Sequence, residues 1–190
     1  MAPLVNRNMQ PTARNLRDLI GFWRDGQINM TPPYQRGDVW TVDQRVALIK
    51  SLLLGIPVAA LMLNMRDNHD WKQNEGEPHS LAPSYAVIDG KQRLTTVRMF
   101  FDGDLEVPID WFEPDWIDWS CTARGASVVA WGNFEIHARR YMGQGFSIPV
   151  AEARLGSLAE EAEVYGLINS AGTAHTDTEL AHARKIARKS

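Results

Sequence analysis

Tyr85-Ala86-Val87-Ile88-Asp89-Gly90-Lys91-Gln92-Arg93-Leu94-Thr95-Thr96 is the stretch on which the fold turns. An apolar run of strand length meets an Asp-Gly pair, and Leu94, Val97 and Phe101 then recur at helical spacing. The reading is a buried strand, a glycine turn and a helix that Gly103 stops. A helix N-terminus presents unpaired N–H groups and the positive end of the helix dipole, so it attracts anions. Gly90 permits close backbone approach to a phosphate. Arg93 offers a bidentate fork and Lys91 a point charge. Asp89 and Gln92 suit the orientation of a water, a hydroxyl or a hydrated metal ion. The same residues also satisfy a capping box, with Asp89 as the cap and Gln92 as its reciprocal partner. Both readings stand at this point. Neither GxxxxGK[ST] nor GxGxxG occurs, so a phosphate site here is of another kind.

Fifty residues upstream lies a second cluster, Pro33-Tyr34-Gln35-Arg36-Gly37-Asp38-Val39-Trp40. Pro32 and Pro33 stiffen its entry, because a proline pair fits neither a helix interior nor a central strand. Arg36 supplies another phosphate-directed fork, and Tyr34 and Trp40 are placed to flank a base. The competing reading puts both aromatics in the core and pairs Arg36 with a carboxylate.

Around these clusters the chain reads as alternating short elements. Residues 14–25 are expected to be helical with Gly26 closing them, and 27–30 to form a short strand. Thr41 with Gln44 forms a capping box for a helix whose inward face is Val42, Val46, Ile49 and Leu53. Residues 58–63 read as a buried strand, 66–83 as a polar loop, 135–142 as a helix and 146–151 as a strand. Ser157 with Glu160 opens a helix through Ile168, Asn169 to His175 reads as a loop, and Thr176 with Glu179 opens a last helix. The stretch 104–133, with Trp111, Trp116, Trp119 and Trp131 among acids, resists assignment. The fold class is α+β, in one domain over 1–190: core motifs in 14–102, a Trp-rich acidic insertion at 104–133 and C-terminal helices in 157–188.

Composition narrows the class of function without supplying one. The 190 residues are 44% hydrophobic and 23% charged, ample for a core. A single cysteine, Cys121, makes no intrachain disulfide and fits a reducing, cytoplasmic setting. No apolar run reaches the roughly 18–20 residues of a membrane span, and the N-terminus lacks a signal-peptide core. The net charge of −3 hides an asymmetry. Residues 1–60 are basic (Arg7, Arg14, Arg17, Arg24, Arg36, Arg45 and Lys50 against Asp18, Asp25, Asp38 and Asp43), whereas 102–135 are acidic. His69, His79, His137, His175 and His182 show no metal-ligand spacing, and no GxSxG elbow is present.

Taken in order, YQRGDVW, a helix ending in LLLGIPV, and YAVIDGKQRLTTV resemble the N-terminal domain of GmrSD-type restriction systems, a family of the ParB/sulfiredoxin-like superfamily. Its signature is a QR…W segment, a helix and strand, and a [D/E]GxxR motif usually written DGQQR. Lys91 stands here where Gln is usual. The segment VYGLINSAGTAHTDTEL is similar to the family's IN..G..L...EL and contributes Asn169, Gly172 and Glu179.

The resemblance implies a small mixed sheet with packed helices and a nucleoside triphosphate as ligand, the base unspecified. It implies a catalytic group of Asp89, Gln92, Arg93 and Arg36. Nucleotide contacts are expected from Gln35, Arg36, Gly90, Lys91, Gln92, Arg93, Thr95 and Asn169, with Tyr34 and Trp40 beside them. Asp89 is expected to orient an attacking water or to hold a hydrated Mg²⁺. Sulfiredoxin chemistry is set aside, because Cys121 lies 28 residues beyond Arg93 and not in the loop. Three functions remain open: an NTP hydrolase of a DNA restriction or phage-conflict system, a nuclease or phosphotransferase acting on DNA, and a non-catalytic ParB-like module. DNA, a separate nuclease or effector subunit and a second copy of the chain are the expected partners, and the chain reads as a family core without a nuclease domain.

Overall fold

The computed structural model describes Met9 and residues 11–71, 83–123, 125–171 and 185. At its centre is β4 (Tyr85–Asp89), the strand read from the opening motif. It pairs antiparallel with β3 (Leu61–Met65) and parallel with the two-residue β2 (Ile28–Asn29). Beyond β3 lie β7 (Ser147–Ala153), parallel to it, and β1 (Pro11–Asn15), antiparallel to β7. The sheet order is thus β1-β7-β3-β4-β2, and the fold is α+β with a mixed sheet. Val87 faces a large apolar cluster and Ile88 a smaller one on the opposite side, as the period-two alternation of a strand requires.

Helices cover both faces. The large cluster is closed by α1 (Leu16–Arg24), α2 (Val42–Leu53), α3 (Lys91–Asp102) and α4 (Ile136–Gly145). On the other face, α5 (Leu158–Ala171) brings Ala162 and Tyr165 against Tyr34 and Ile88. The Thr41–Gln44 capping box of α2 is formed in both directions, and the Glu160 N–H donates to Ser157 Oγ at the start of α5.

Several expectations require correction. Strand β1 precedes the first helix and takes Arg14 and Asn15 out of it, and Asn15 caps α1 by accepting from the Arg17 N–H at 2.8 Å. The inward face of α2 is Arg45, Leu48, Ile49 and Leu52, while Val42 is 65% exposed. The reason is Arg45: a charged residue enters the core when its guanidinium finds partners there, and hydrophobic periodicity does not register that. Residues 58–60 lie outside β3, since the Ala59 carbonyl accepts from Arg93 and not from a neighbouring strand. Helix α5 continues through Asn169 to Ala171, where a loop was expected. The expected helix from Thr176 through Arg188, with Gly172, His175, Glu179 and His182, lies outside the described residues apart from Lys185.

The unassigned stretch forms an aromatic cap. Single turns of 3₁₀ helix at Ile109–Trp111, Pro114–Trp116 and Trp131–Asn133 frame a two-stranded ribbon, β5 (Val107–Pro108) with β6 (Val128–Val129). Trp131 meets Phe100 and Phe101 edge-on, with ring centroids 5.4 and 4.8 Å away. Such edge-to-face pairs add to simple area burial. Among the described residues no helix is long and apolar enough to cross a membrane.

Candidate functional site

Strand β4 ends at Asp89 beside an irregularity in its ladder, where the register with β3 shifts between Met62 and Leu63. Bulges of this kind re-aim the side chains next to them. The chain then turns through Gly90 at φ +94°, a conformation that L side chains rarely adopt, and a Cβ there would lie 2.2 Å from Leu61 Cδ2. Gly90 itself is the N-cap of α3, and no side chain caps this helix. The capping-box reading of Asp89 and Gln92 therefore fails.

Their side chains are used otherwise. Asp89 Oδ2 accepts from Arg93 Nη2 at 2.5 Å, and Arg93 Nη1 donates to the Ala59 carbonyl at 2.7 Å. Gln92 Nε2 donates to the Gly37 carbonyl at 3.0 Å, and Lys91 Nζ donates to the Arg36 carbonyl at 2.9 Å. The first turn of α3 thereby grips the backbone of the QRGD segment. Gln35 completes the join, its Nε2 donating to the carbonyls of Val87 and Ile88 at 2.8 Å each. Two motifs fifty residues apart in sequence are one constellation in space.

Between them is a cavity of about 360 Å³. Gln35, Arg36, Trp40, Asp89, Gly90, Lys91, Gln92, Arg93 and Asn169, all singled out from sequence, line its wall. Its charged lining is Arg36, Lys91 and Arg93 against Asp89, an excess of positive charge that suits an anion. Burial lowers the pKa of Lys91, and Asp38 partly opposes that shift. Gln92 is 7% exposed, and its Oε1 is buried with no hydrogen-bond partner among the described residues. An acceptor in that state calls for a donor or a cation.

Two expected residues lie elsewhere. Tyr34 is in the core, its ring 5.4 Å from that of Tyr165 and its hydroxyl donating to Glu161 Oε2 at 3.0 Å. Burial first, and then the Glu161 charge, push its phenol well above the ordinary tyrosine range. Thr95 is half-buried on α3 and is not part of the cavity wall. Of the two aromatics expected to flank a base, Trp40 alone reaches the cavity.

Sequence reasoning also missed residues. Leu48, Val58, Ala59 and Tyr165 complete the wall. Behind it, Arg45, 4% exposed, donates Nη1 to Thr96 Oγ1 at 3.0 Å and pairs through Nη2 with Asp38. Thr96 Oγ1 in turn donates to the Gln92 carbonyl at 2.8 Å. Under α5, Glu161, fully buried, accepts from Asn64 at 2.7 Å, from Arg66 at 2.9 and 2.5 Å, and from Tyr34. A buried carboxylate needs partners of this kind, since an unpaired one is costly to remove from water. The available signal for Glu161 was an acid on the inward side of an otherwise apolar helix face.

A larger cavity, about 770 Å³, lies between the C-terminal end of α2 and α4 among Trp111, Phe112, Trp116 and Tyr141. Among the described residues Lys50 is its one charged lining group; Leu52 to Gly55 of the LLLGIPV motif line it, but no residue of the Gln35–Trp40 or Asp89–Arg93 segments reaches it. Size and charge part company here; the smaller cavity is the one lined by Arg36, Lys91, Arg93, Asp89 and the amides of Gln35, Gln92 and Asn169.

Among the described residues no three His, Cys, Asp or Glu side chains gather as a metal site. Asp89 carries a carboxylate on the cavity wall, and the buried Oε1 of Gln92 has no hydrogen-bond partner among the described residues. No curated protein and no solved structure matches the chain. The family described as "GmrSD restriction endonuclease, N-terminal domain" matches residues 16–185, the span that contains every cavity-lining residue. The chain belongs to that family and is a component of a restriction system.

Proposed function

We propose that the chain binds a nucleoside triphosphate in the smaller cavity and hydrolyses it, within a restriction or phage-conflict system. One observation carries the reading: the Gln35–Trp40 segment, the Asp89–Arg93 turn and Asn169 of α5 converge on one wall with three cations and one carboxylate. Arg36 and Arg93 neutralise phosphate oxygens, and the Gly90 turn lets the N–H groups of α3 approach them. Mg²⁺ fits as a companion of the phosphates, held on the protein side by Asp89 and Gln92, and it would neutralise charge developing during phosphoryl transfer. In this structure the Asp89 carboxylate is held by Arg93 at 2.5 Å. Hydrolysis by this reading requires a phosphate to draw Arg93 away and free Asp89 to orient water. The same contact supports a second reading, binding without turnover, in which Arg93 keeps its grip on Asp89. A nuclease or effector subunit is the expected recipient of the nucleotide signal, and DNA the expected target.

The test is calorimetry with ATP, GTP, CTP and UTP, with and without MgCl₂, followed by phosphate release under the binding conditions. Saturable binding with phosphate release supports the proposal. Binding without release, unchanged in Asp89→Asn, supports the second reading. Transfer of a γ-phosphate label to DNA, or nicking, would move the chemistry to DNA. Failure of all four nucleotides to bind overturns both readings.

A further inference from the structure

Behind the cavity wall is a cation that touches no cavity surface. Arg45 lies on α2, 4% exposed, and its two amino groups reach different elements. One bonds Thr96 on α3, whose hydroxyl is bonded in turn to the Gln92 carbonyl. The other pairs with Asp38, which belongs to neither helix but to the segment carrying Gln35, Arg36 and Trp40. Immediately before Asp38, the carbonyls of Arg36 and Gly37 accept from Lys91 and Gln92. Arg45 is thus the third leg of a tripod that fixes this segment against the first turn of α3.

Tying two helices together does not need a buried cation. A buried ion pair is a weak stabiliser relative to an apolar contact of similar volume, so its effect is sought in what it holds in place. Here the held object is the segment that delivers Arg36 to the cavity, and the Asp38 side chain, 51% exposed, is the solvent-accessible end of the link. Gln35 fastens the front of that segment to the carbonyls of Val87 and Ile88, and the carbonyl bonds from Lys91 and Gln92 hold its middle. The Asp38–Arg45 pair fastens the end beyond Arg36.

We propose that Asp38 and Arg45 are positioning residues of the cavity: their ion pair sets the placement of Arg36 relative to Arg93, and with it the affinity for a triphosphate. The inference rests on the triphosphate reading above. Misplacement of a binding group by about 1 Å is enough for large losses in a preorganised site. Asp38→Asn keeps the size of the side chain and removes the charge, and the half-exposed position makes it the variant that folds. Asp38→Glu keeps the charge. Arg45→Met and Thr96→Val probe the buried end, each with its melting midpoint recorded.

The experiment is calorimetric titration of each purified variant with whichever of ATP, GTP, CTP and UTP the wild type binds, in MgCl₂, beside thermal melts without nucleotide. The expected result is about tenfold or greater weakening in Asp38→Asn with little change in melting, and recovery to within about threefold in Asp38→Glu. Arg45→Met should weaken binding at least as much as Asp38→Asn. If Asp38→Asn binds within about twofold of wild type, the positioning role is overturned while the triphosphate reading stands. If affinity falls only in step with melting and Asp38→Glu recovers nothing, the pair is a structural tie and the inference is likewise overturned. If the wild type binds none of the four, the triphosphate reading and this inference fall together.

Discussion

Replacing Gly90 with alanine isolates the geometric demand at the centre of the site. Gly90 sits at φ +94°, and an added Cβ would lie 2.2 Å from Leu61 Cδ2, 3.2 Å from Arg93 Nη2 and 3.3 Å from Arg93 Nε. Holding a residue with a side chain in left-handed backbone costs roughly 1–2 kcal/mol. The contact with Leu61 is a second penalty, because Leu61 is 1% exposed and packed in the main core. Forcing a methyl group into such a position costs about 1–3 kcal/mol. The sum, about 2–5 kcal/mol, is a large share of a typical domain stability of about 5–15 kcal/mol. Gly103 is the internal control: it has φ +84° and nothing within 4 Å of an added Cβ, so Gly103→Ala carries the backbone penalty alone. Urea unfolding followed by far-ultraviolet circular dichroism measures both. Gly90→Ala is expected to exceed Gly103→Ala by about 1–3 kcal/mol, and Leu61→Ala should cost less in the Gly90→Ala background than in the wild type, the difference measuring the relieved contact. Equal losses in the two glycine variants, to within about 0.5 kcal/mol, would refute the claim that close packing requires glycine at 90.

Other outcomes follow from the same network. Arg93→Ala is expected to weaken triphosphate binding about 10–100-fold, from the roughly 1.5–3 kcal/mol of charged hydrogen bonds. Arg98→Ala, on the same helix but stacked over Trp23 at 4.3 Å, should leave affinity unchanged by calorimetry. Glu161→Ala removes the buried carboxylate to which Asn64, Arg66 and Tyr34 donate and should cost about 3–5 kcal/mol in urea unfolding. Lys91 supplies a pH signature. Burial depresses its folded pKa below the ordinary 10.5, so the unfolded chain binds more protons between the two values and Lys91's contribution to stability rises with pH across that window. The stability of the wild type minus that of Lys91→Met should therefore increase as pH approaches 10.5. A flat difference would contradict the burial of this amine.

Much of the site was legible because local rules and tertiary geometry agree there. The strand, glycine and helix of Tyr85–Asp102 are where periodicity puts them, and the Thr41–Gln44 box starts α2 as its residues demand. Nine residues singled out from sequence share one cavity. What escaped was decided by partners distant in the chain. Arg45 reads as a solvated helix residue until Asp38 and Thr96 are placed beside it. Ala59 reads as strand until Arg93 takes its carbonyl. Tyr34 was open to two readings, base-flanking or core, because an aromatic beside a Gln-Arg pair carries no sign of which way it points; the Glu161 carboxylate to which its inward-facing hydroxyl donates is more than a hundred residues away. The Trp-rich stretch has no periodicity to read, since short 3₁₀ turns each expose one side to solvent and lay one aromatic on the core.

The amide of Gln35 carries a consequence for how this site is dissected. Strand β2 is two residues long and pairs with Tyr85 and Ala86, so among the described residues Val87 and Ile88 have β3 on one side of β4 and no strand on the β2 side. Gln35 Nε2 donates to both, serving as a prosthetic piece of backbone where the flanking strand has run out. Take that side chain away and two carbonyls of a fully buried stretch of the strand that carries Asp89 lose their donor at 2.8 Å, a desolvation penalty that falls on the fold. A Gln35→Ala protein that no longer handles nucleotide has therefore not thereby revealed a ligand contact. A thermal melt belongs beside every assay of that variant, because its first symptom should be lost stability.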